Sequence, residues 1–157
     1  MSSMTQVATP TSEHSMAGGP RLTYLVKRLE MAERASMEDA LQPYGVTLHQ
    51  YTALSLLERR DGLSSAQLAR RHFVTPQAMN QLVSSLERDG HILREPDPAN
   101  RRILRASLSD RGRSTLQSCH AAVDALEQQM LSDFTLDQIQ EFREALQRSL
   151  RGLADRA

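Results

Sequence analysis

Residues 63–90 read LSSAQLARRHFVTPQAMNQLVSSLERDG, and the order of signals within them decides the fold. Ser64 followed by Gln67 is a capping box, which opens a short helix over 65–71 that is expected to bury Ala66, Leu68 and Ala69. Thr75-Pro76 opens the next helix, with Thr as N-cap and Pro at the first helical position, where its missing N–H costs nothing. Ala78, Leu82, Val83 and Leu86 are expected on its inner face, and Asp89-Gly90 closes it. The outer face then offers Thr75, Gln77, Asn80, Gln81, Ser84 and Arg88. Two short helices joined by a tight turn, the second displaying polar side chains, suit insertion into the major groove of a duplex. Gln and Asn can each hold adenine with two hydrogen bonds, and Thr can meet a phosphate or a thymine methyl. Ser64 and Ser65 at the head of the first helix join this candidate set.

On the C-terminal side the periodicity changes. Ile92-Leu93-Arg94 and Ile103-Leu104-Arg105-Ala106 flank Pro96-Asp97-Pro98-Ala99-Asn100, two short strands around a Pro-rich turn. This hairpin carries Arg94, Arg101, Arg102 and Arg105, and an Arg at such a tip can reach a narrow minor groove, where the negative potential is enhanced. Ser109 then caps a long helix with Leu116, Cys119, Val123, Leu126 and Met130 along one face, and Thr135 with Gln138 caps a last one. On the N-terminal side, Thr47 and Gln50 form another capping box, for a helix lined by Leu48, Tyr51, Leu54 and Leu57. Before it, Leu22, Leu25, Leu29 and Ala32 mark an amphipathic helix that Pro43-Tyr44-Gly45 ends. Residues 1–20 are rich in Ser, Thr, Gly and Pro and read as a disordered tail. The expected fold is mainly α with a small β-hairpin wing. It is a single domain over 21–153, with a winged helix-turn-helix over 47–108 and a helical dimerisation region over 21–46 and 109–153.

Composition fits this reading. The 157 residues carry zero formal net charge, yet 59–113 hold eleven Arg against six acids, a net of +5 set against −5 elsewhere. A chain polarised in this way places its positive field where a polyanion docks. Apolar residues make up 39%, but no unbroken apolar run is long enough to span a bilayer, so no membrane partner is expected. The first residues lack a basic cluster ahead of an apolar run, so the expected location is the cytoplasm. One cysteine excludes an internal disulfide framework, and the absence of Trp argues against a stacking platform for single strands. No Gly-rich phosphate loop, nucleophile elbow or paired acid motif points to an enzyme, and no cofactor is expected. The five His are scattered without helical i, i+4 pairing, so no metal site is expected either.

The same stretches resemble the multiple antibiotic resistance regulator (MarR) family of bacterial winged-helix proteins. The resemblance is carried by 63–69, 74–83, Leu86-Glu87-Arg88-Asp89-Gly90, 94–102 and Leu108-Ser109-Asp110-Arg111-Gly112, and it covers about 21–153. It implies a homodimer with interlocked first and last helices. That dimer would bind a roughly palindromic operator on double-stranded DNA, commonly as a repressor, and release it when a small effector binds. At the wing the family pattern is Asp-x-Arg, in which the Asp orients an Arg that enters the minor groove. Here Asn100 stands at the Asp position and Arg102 at the Arg, so the orienting carbonyl lacks charge assistance. The family often has Arg where Gln81 stands.

Residues 21–42 and 109–153 also make more apolar helix surface than one small winged helix can cover, which independently implies two-fold pairing. The resemblance places an effector near the first helix and the start of the second. Arg21, Tyr24, Arg28, Met31, His49 and Tyr51 there suit an aromatic carboxylate or phenol, with Arg21 or Arg28 as the carboxylate partner. Two other classes remain: a thiol-based redox regulator acting through Cys119, and a winged helix used for protein contacts without operator binding.

Overall fold

The structure, a computed structural model, describes residues 19–154. Most of the tail read over 1–20 therefore lies outside the described residues. Six α-helices and three strands run in the order α1 (Leu22–Leu41), α2 (Leu48–Arg59), β1 (Leu63–Ser64), α3 (Ser65–His72), α4 (Pro76–Arg88), β2 (Ile92–Pro96), β3 (Leu104–Leu108), α5 (Asp110–Met130) and α6 (Leu136–Ala154). The chain divides into two units, one ending at Ala35 and the other beginning at Ser36. In the first, α1 exposes Leu22, Leu25, Val26 and Met31 to solvent.

In the second unit, a short 3-10 helix, Gln42–Tyr44, breaks from α1 at Pro43 and ends on Gly45 in the left-handed region (φ 66°). The caps that follow form as their sequences require. Thr47 and Gln50 make a full capping box on α2, Ser64 and Gln67 another on α3, and Thr135 with Gln138 the third, before α6. Thr75 Oγ1 accepts the Ala78 N–H, and Pro76 takes the first turn of α4. The Gln50 side chain also reaches beyond its own helix. Its Nε2 donates to Ser85 Oγ on α4 at 3.1 Å, tying the start of α2 to the middle of α4.

Strand β3 is central, with β1 and β2 antiparallel on either side and Ile92 opposite Leu108. The two-residue β1 goes unanticipated in the sequence. It exists because Leu63 and Ser64 pair with Ala106 and Arg105, a contact no local signal encodes. The core gathers Met37 and Leu41 from the end of α1, Leu54 and Leu57 from α2, and Leu68 from α3. Met79, Val83 and Leu86 from α4 join Ile92, Leu116 and Cys119 around them. Two expectations are corrected: Ala66 and Ala78 are exposed, and it is Met79 that is buried. The buried stripe 79, 83, 86 steps by 4 and 3 where 78, 82, 86 steps by 4 and 4, so the core-facing side is slightly rotated and the larger side chain fills the core. No helix among the described residues is long and apolar enough to cross a membrane.

Where β2 and α5 meet, the packing is unusually close. Ser109 Oγ donates to Gly90 O at 2.6 Å and accepts the Gly112 N–H at 2.9 Å, while the Ser109 N–H donates to His91 O at 3.0 Å. A Cβ on Gly112 would fall 1.9 Å from the His91 carbonyl oxygen. His91 is itself buried, and its Nδ1 has no hydrogen-bond partner among the described residues. Burial, reinforced by the Arg111 charge, pushes its imidazole below the ordinary 6.5, with Asp89 opposing. The unfolded chain therefore takes up this proton more readily than the folded one. His91's contribution to stability is intact above the unfolded value and is lost as pH falls through it toward the folded one. The melting temperature should drop between pH 8 and pH 5.5, and His91→Leu should flatten that drop. An unchanged slope in the variant would show that another group sets it.

Candidate nucleic-acid interface

Helix α4 packs against α3 on one side and against β2, the first strand of the wing, on the other. On α4, Gln77, Asn80, Gln81 and Ser84 are all exposed, and among the described residues no hydrogen bond engages their side chains. This leaves their amides and hydroxyl free to meet a partner. Arg88, also exposed, leans loosely on Asp89 and Ser85 at 3.4 and 3.5 Å. Ser64 and Thr75 are engaged first as caps, each accepting a backbone N–H, and Ser65 is half-buried at the start of α3. From Gly62 to Leu86 there is no carboxylate, while Arg70 and Arg71 stand exposed on the last turn of α3.

The four wing arginines separate into two pairs. Arg94 is ion-paired to Glu87 of α4, with its Nε at 2.8 Å, and this contact holds the Glu87 carboxyl below its usual range. Arg105 donates its Nε to Asp97 Oδ2 at 2.5 Å and its Nη1 to the Gly62 carbonyl at 2.9 Å. These two are therefore braces, one fixing the wing to α4 and the other fixing it to the start of β1. Arg101 and Arg102 are exposed at the tip, and among the described residues neither guanidinium has a partner.

The tip is built by two side-chain turns. Asp97 Oδ1 accepts the Ala99 N–H at 2.7 Å, and Asn100 Oδ1 accepts the Arg102 N–H at 3.2 Å. Backbone bonds from Asp97 N–H to Ile103 O (2.8 Å) and from Ile103 N–H to Asn100 O (2.9 Å) close it. The Ala99 N–H, followed by the Arg105 guanidinium, keeps the buried Asp97 carboxyl below its ordinary value. Asn100 thus positions the Arg102 backbone through its side-chain carbonyl, without a charge. Asp97 is absent from the sequence candidates, although an Asp between two prolines is a turn signal. Phe73 is absent too, and no local motif announces its left-handed backbone (φ 56°).

The effector candidates fall on both units. On α1, Arg21, Tyr24, Arg28 and Met31 are exposed, and the Arg28 guanidinium lies 5.8 Å from the centre of the Tyr24 ring, a cation–π contact. On α2, His49 is exposed with its ring 5.2 Å from that of His72, and it borders a hollow of about 390 Å³ lined also by Glu38, Gln42, Val46 and Leu48. Tyr51 is already engaged. Its hydroxyl shares a hydrogen bond with His120 Nδ1 at 3.0 Å, and His120 Nε2 lies 2.9 Å from Glu58 Oε2. Cys119 is fully buried, and burial pushes its thiol up, the opposite of what a redox sensor needs. Among the described residues, no three His, Cys, Asp or Glu side chains gather as a metal site.

The family sequence model for MarR matches residues 44–103, from the end of the 3-10 helix to the wing tip. The transcriptional repressor Rv2887 of Mycobacterium tuberculosis is 37% identical over 133 residues, which are 85% of this chain and 96% of that protein. The chain belongs to the MarR family. Within that family, a crystal structure of Rv2887 in complex with DNA superposes with a TM-score of 0.71 at 35% identity, covering 83% of this chain and 98% of that one. A second Rv2887 structure, in complex with salicylic acid, gives a TM-score of 0.67 at 37% identity, covering 85% and 98%. The winged helix-turn-helix expected over residues 47–108 is thus the MarR fold, with β1 completing a three-stranded wing sheet.

Proposed function

We propose that this chain is a cytoplasmic transcriptional repressor that binds a two-fold operator as a homodimer and releases it when a small aromatic acid binds. The observation that carries the DNA reading is a pair of elements unengaged among the described residues: the polar face of α4, and Arg101 and Arg102 at the tip of the wing that packs on α4. The braces on Arg94 and Arg105 hold that tip in place before any partner arrives, which lowers the ordering cost of binding. The relative Rv2887, solved with DNA, supports the same reading. Pairing is supported by apolar side chains left in water on the terminal helices, Leu22 on α1 and Leu136, Leu150 and Leu153 on α6 among them.

An aromatic carboxylate as effector is supported by the Rv2887 complex with salicylic acid and by the cations and aromatics of α1. Arg21 and Arg28 are the proposed carboxylate partners. Tyr24, Met31, His49 and Tyr51 are the proposed ring and hydroxyl contacts, each to be tested singly. Gel retardation on genomic fragments at several salt concentrations tests the first claim. Sequence-selective retardation that weakens steeply with salt is expected, and retardation without sequence preference would refute it. Salicylate tests the second. At about 100 times its Kd a ligand stabilises by about 2.7 kcal/mol, a readily measured rise in melting temperature that should accompany loss of the retarded band. No shift with any benzoate-type acid would refute the effector reading.

A further inference from the structure

Phe73 is the most exposed large apolar side chain among the described residues, at 95%. It is also the only described non-glycine residue with positive φ, at φ 56° and ψ 38° where α3 ends. Helices that end in this conformation usually place Gly there, because a Cβ strains the left-handed region. The ring then stands in water with almost no neighbours in its own chain. Phenylalanine is thus doubly disfavoured here, by backbone strain and by an exposed apolar surface. Neither cost is recovered within the chain.

Its surroundings define the partner. Phe73 lies two residues before Thr75, in the turn that leads into α4, between exposed Arg70 and Arg71 on one side and exposed Thr75 and Gln77 on the other. It is the one exposed large apolar side chain of α3, α4 and the turn between them, in a stretch from Gly62 to Leu86 that contains no carboxylate. A protein surface would call for a contiguous apolar patch. A duplex offers a polyanion with isolated apolar groups in its major groove, the C5 methyls of thymine.

We infer that the Phe73 ring seats against the C5 methyl of a thymine at the edge of each operator half-site, which makes Phe73 a specificity residue. This rests on the duplex binding proposed above. The test uses the full chain and an operator recovered by selection from genomic DNA, with each thymine replaced in turn by deoxyuridine, which lacks only that methyl. The unaltered protein should lose about fourfold in affinity per half-site at one symmetric pair of positions, the equivalent of one buried methyl. Phe73→Gly should bind the unmodified operator more weakly and be indifferent to deoxyuridine at that pair. Its melting temperature should rise by about 2–4 °C as the strain is relieved. Phe73→Leu should keep part of the thymine preference. If Phe73→Gly keeps the deoxyuridine profile of the unaltered protein, the inference is overturned. An unaltered protein that loses nothing at any deoxyuridine position would place the ring on sugar or elsewhere and overturn it too. If the unaltered protein prefers no duplex at all, the DNA reading itself falls, a result distinct from either.

Discussion

Gly112→Ala should destabilise the protein by about 3 kcal/mol, near the top of the range for an overpacked site. The added Cβ would lie 1.9 Å from a backbone oxygen, that of His91, and not from the far end of a side chain that could swing aside. His91 O is also fixed, since it accepts the Ser109 N–H that opens α5. The clash can be relieved only by moving the start of β2 or the first turn of α5. Either movement disturbs the Ser109 cap and its bond to Gly90. For a chain of this length the expected loss in melting temperature is about 6–12 °C. Gly152, with nothing near its would-be Cβ, is the control. Gly152→Ala should leave stability level or slightly raised, because it sits inside α6 where Ala is the better helix former. A Gly112→Ala protein that melts with the unaltered one would refute the packing described at this junction.

The second large effect is on operator affinity. Arg102→Ala should weaken binding by about 100-fold or more, since a charge-assisted hydrogen bond contributes about 1.5–3 kcal/mol and a dimer loses it twice. The loss should be similar on every sequence if Arg102 meets phosphate or reads groove width. The plot of log affinity against log salt should then flatten by about one for each contact removed. Stability should not change, because the Arg102 guanidinium is exposed and has no partner among the described residues. Fluorescence anisotropy titrations at three or more salt concentrations, alongside thermal melts, separate these readouts. Binding by Arg102→Ala at the unaltered affinity and slope would remove the wing tip from the interface.

What can be read from the chain alone is local chemistry. Three capping boxes, the Thr75-Pro76 start and the Ser109 cap depend on residues within four positions of each other, and all form as the sequence spells them. What stays hidden is set by distant partners. Strand β1 is a strand only because β3 lies beside it. Arg94 and Arg105 look like free wing cations until Glu87 and Asp97 are seen to hold them. Met79 and Ala78 differ by one step of helix phase, and that step is decided by the shape of the core. Phe73 is invisible for another reason: nothing in its own segment calls for the conformation it adopts.

The bond between Gln50 and Ser85 gives the second unit an internal linkage. One amide secures the first turn of α2, beside the hollow at Gly45–His49, and the same amide grips the back of α4. Any ligand that displaced the α2 cap at that hollow would strain the bond to Ser85, and with it the seating of α4, the helix proposed above to meet the duplex.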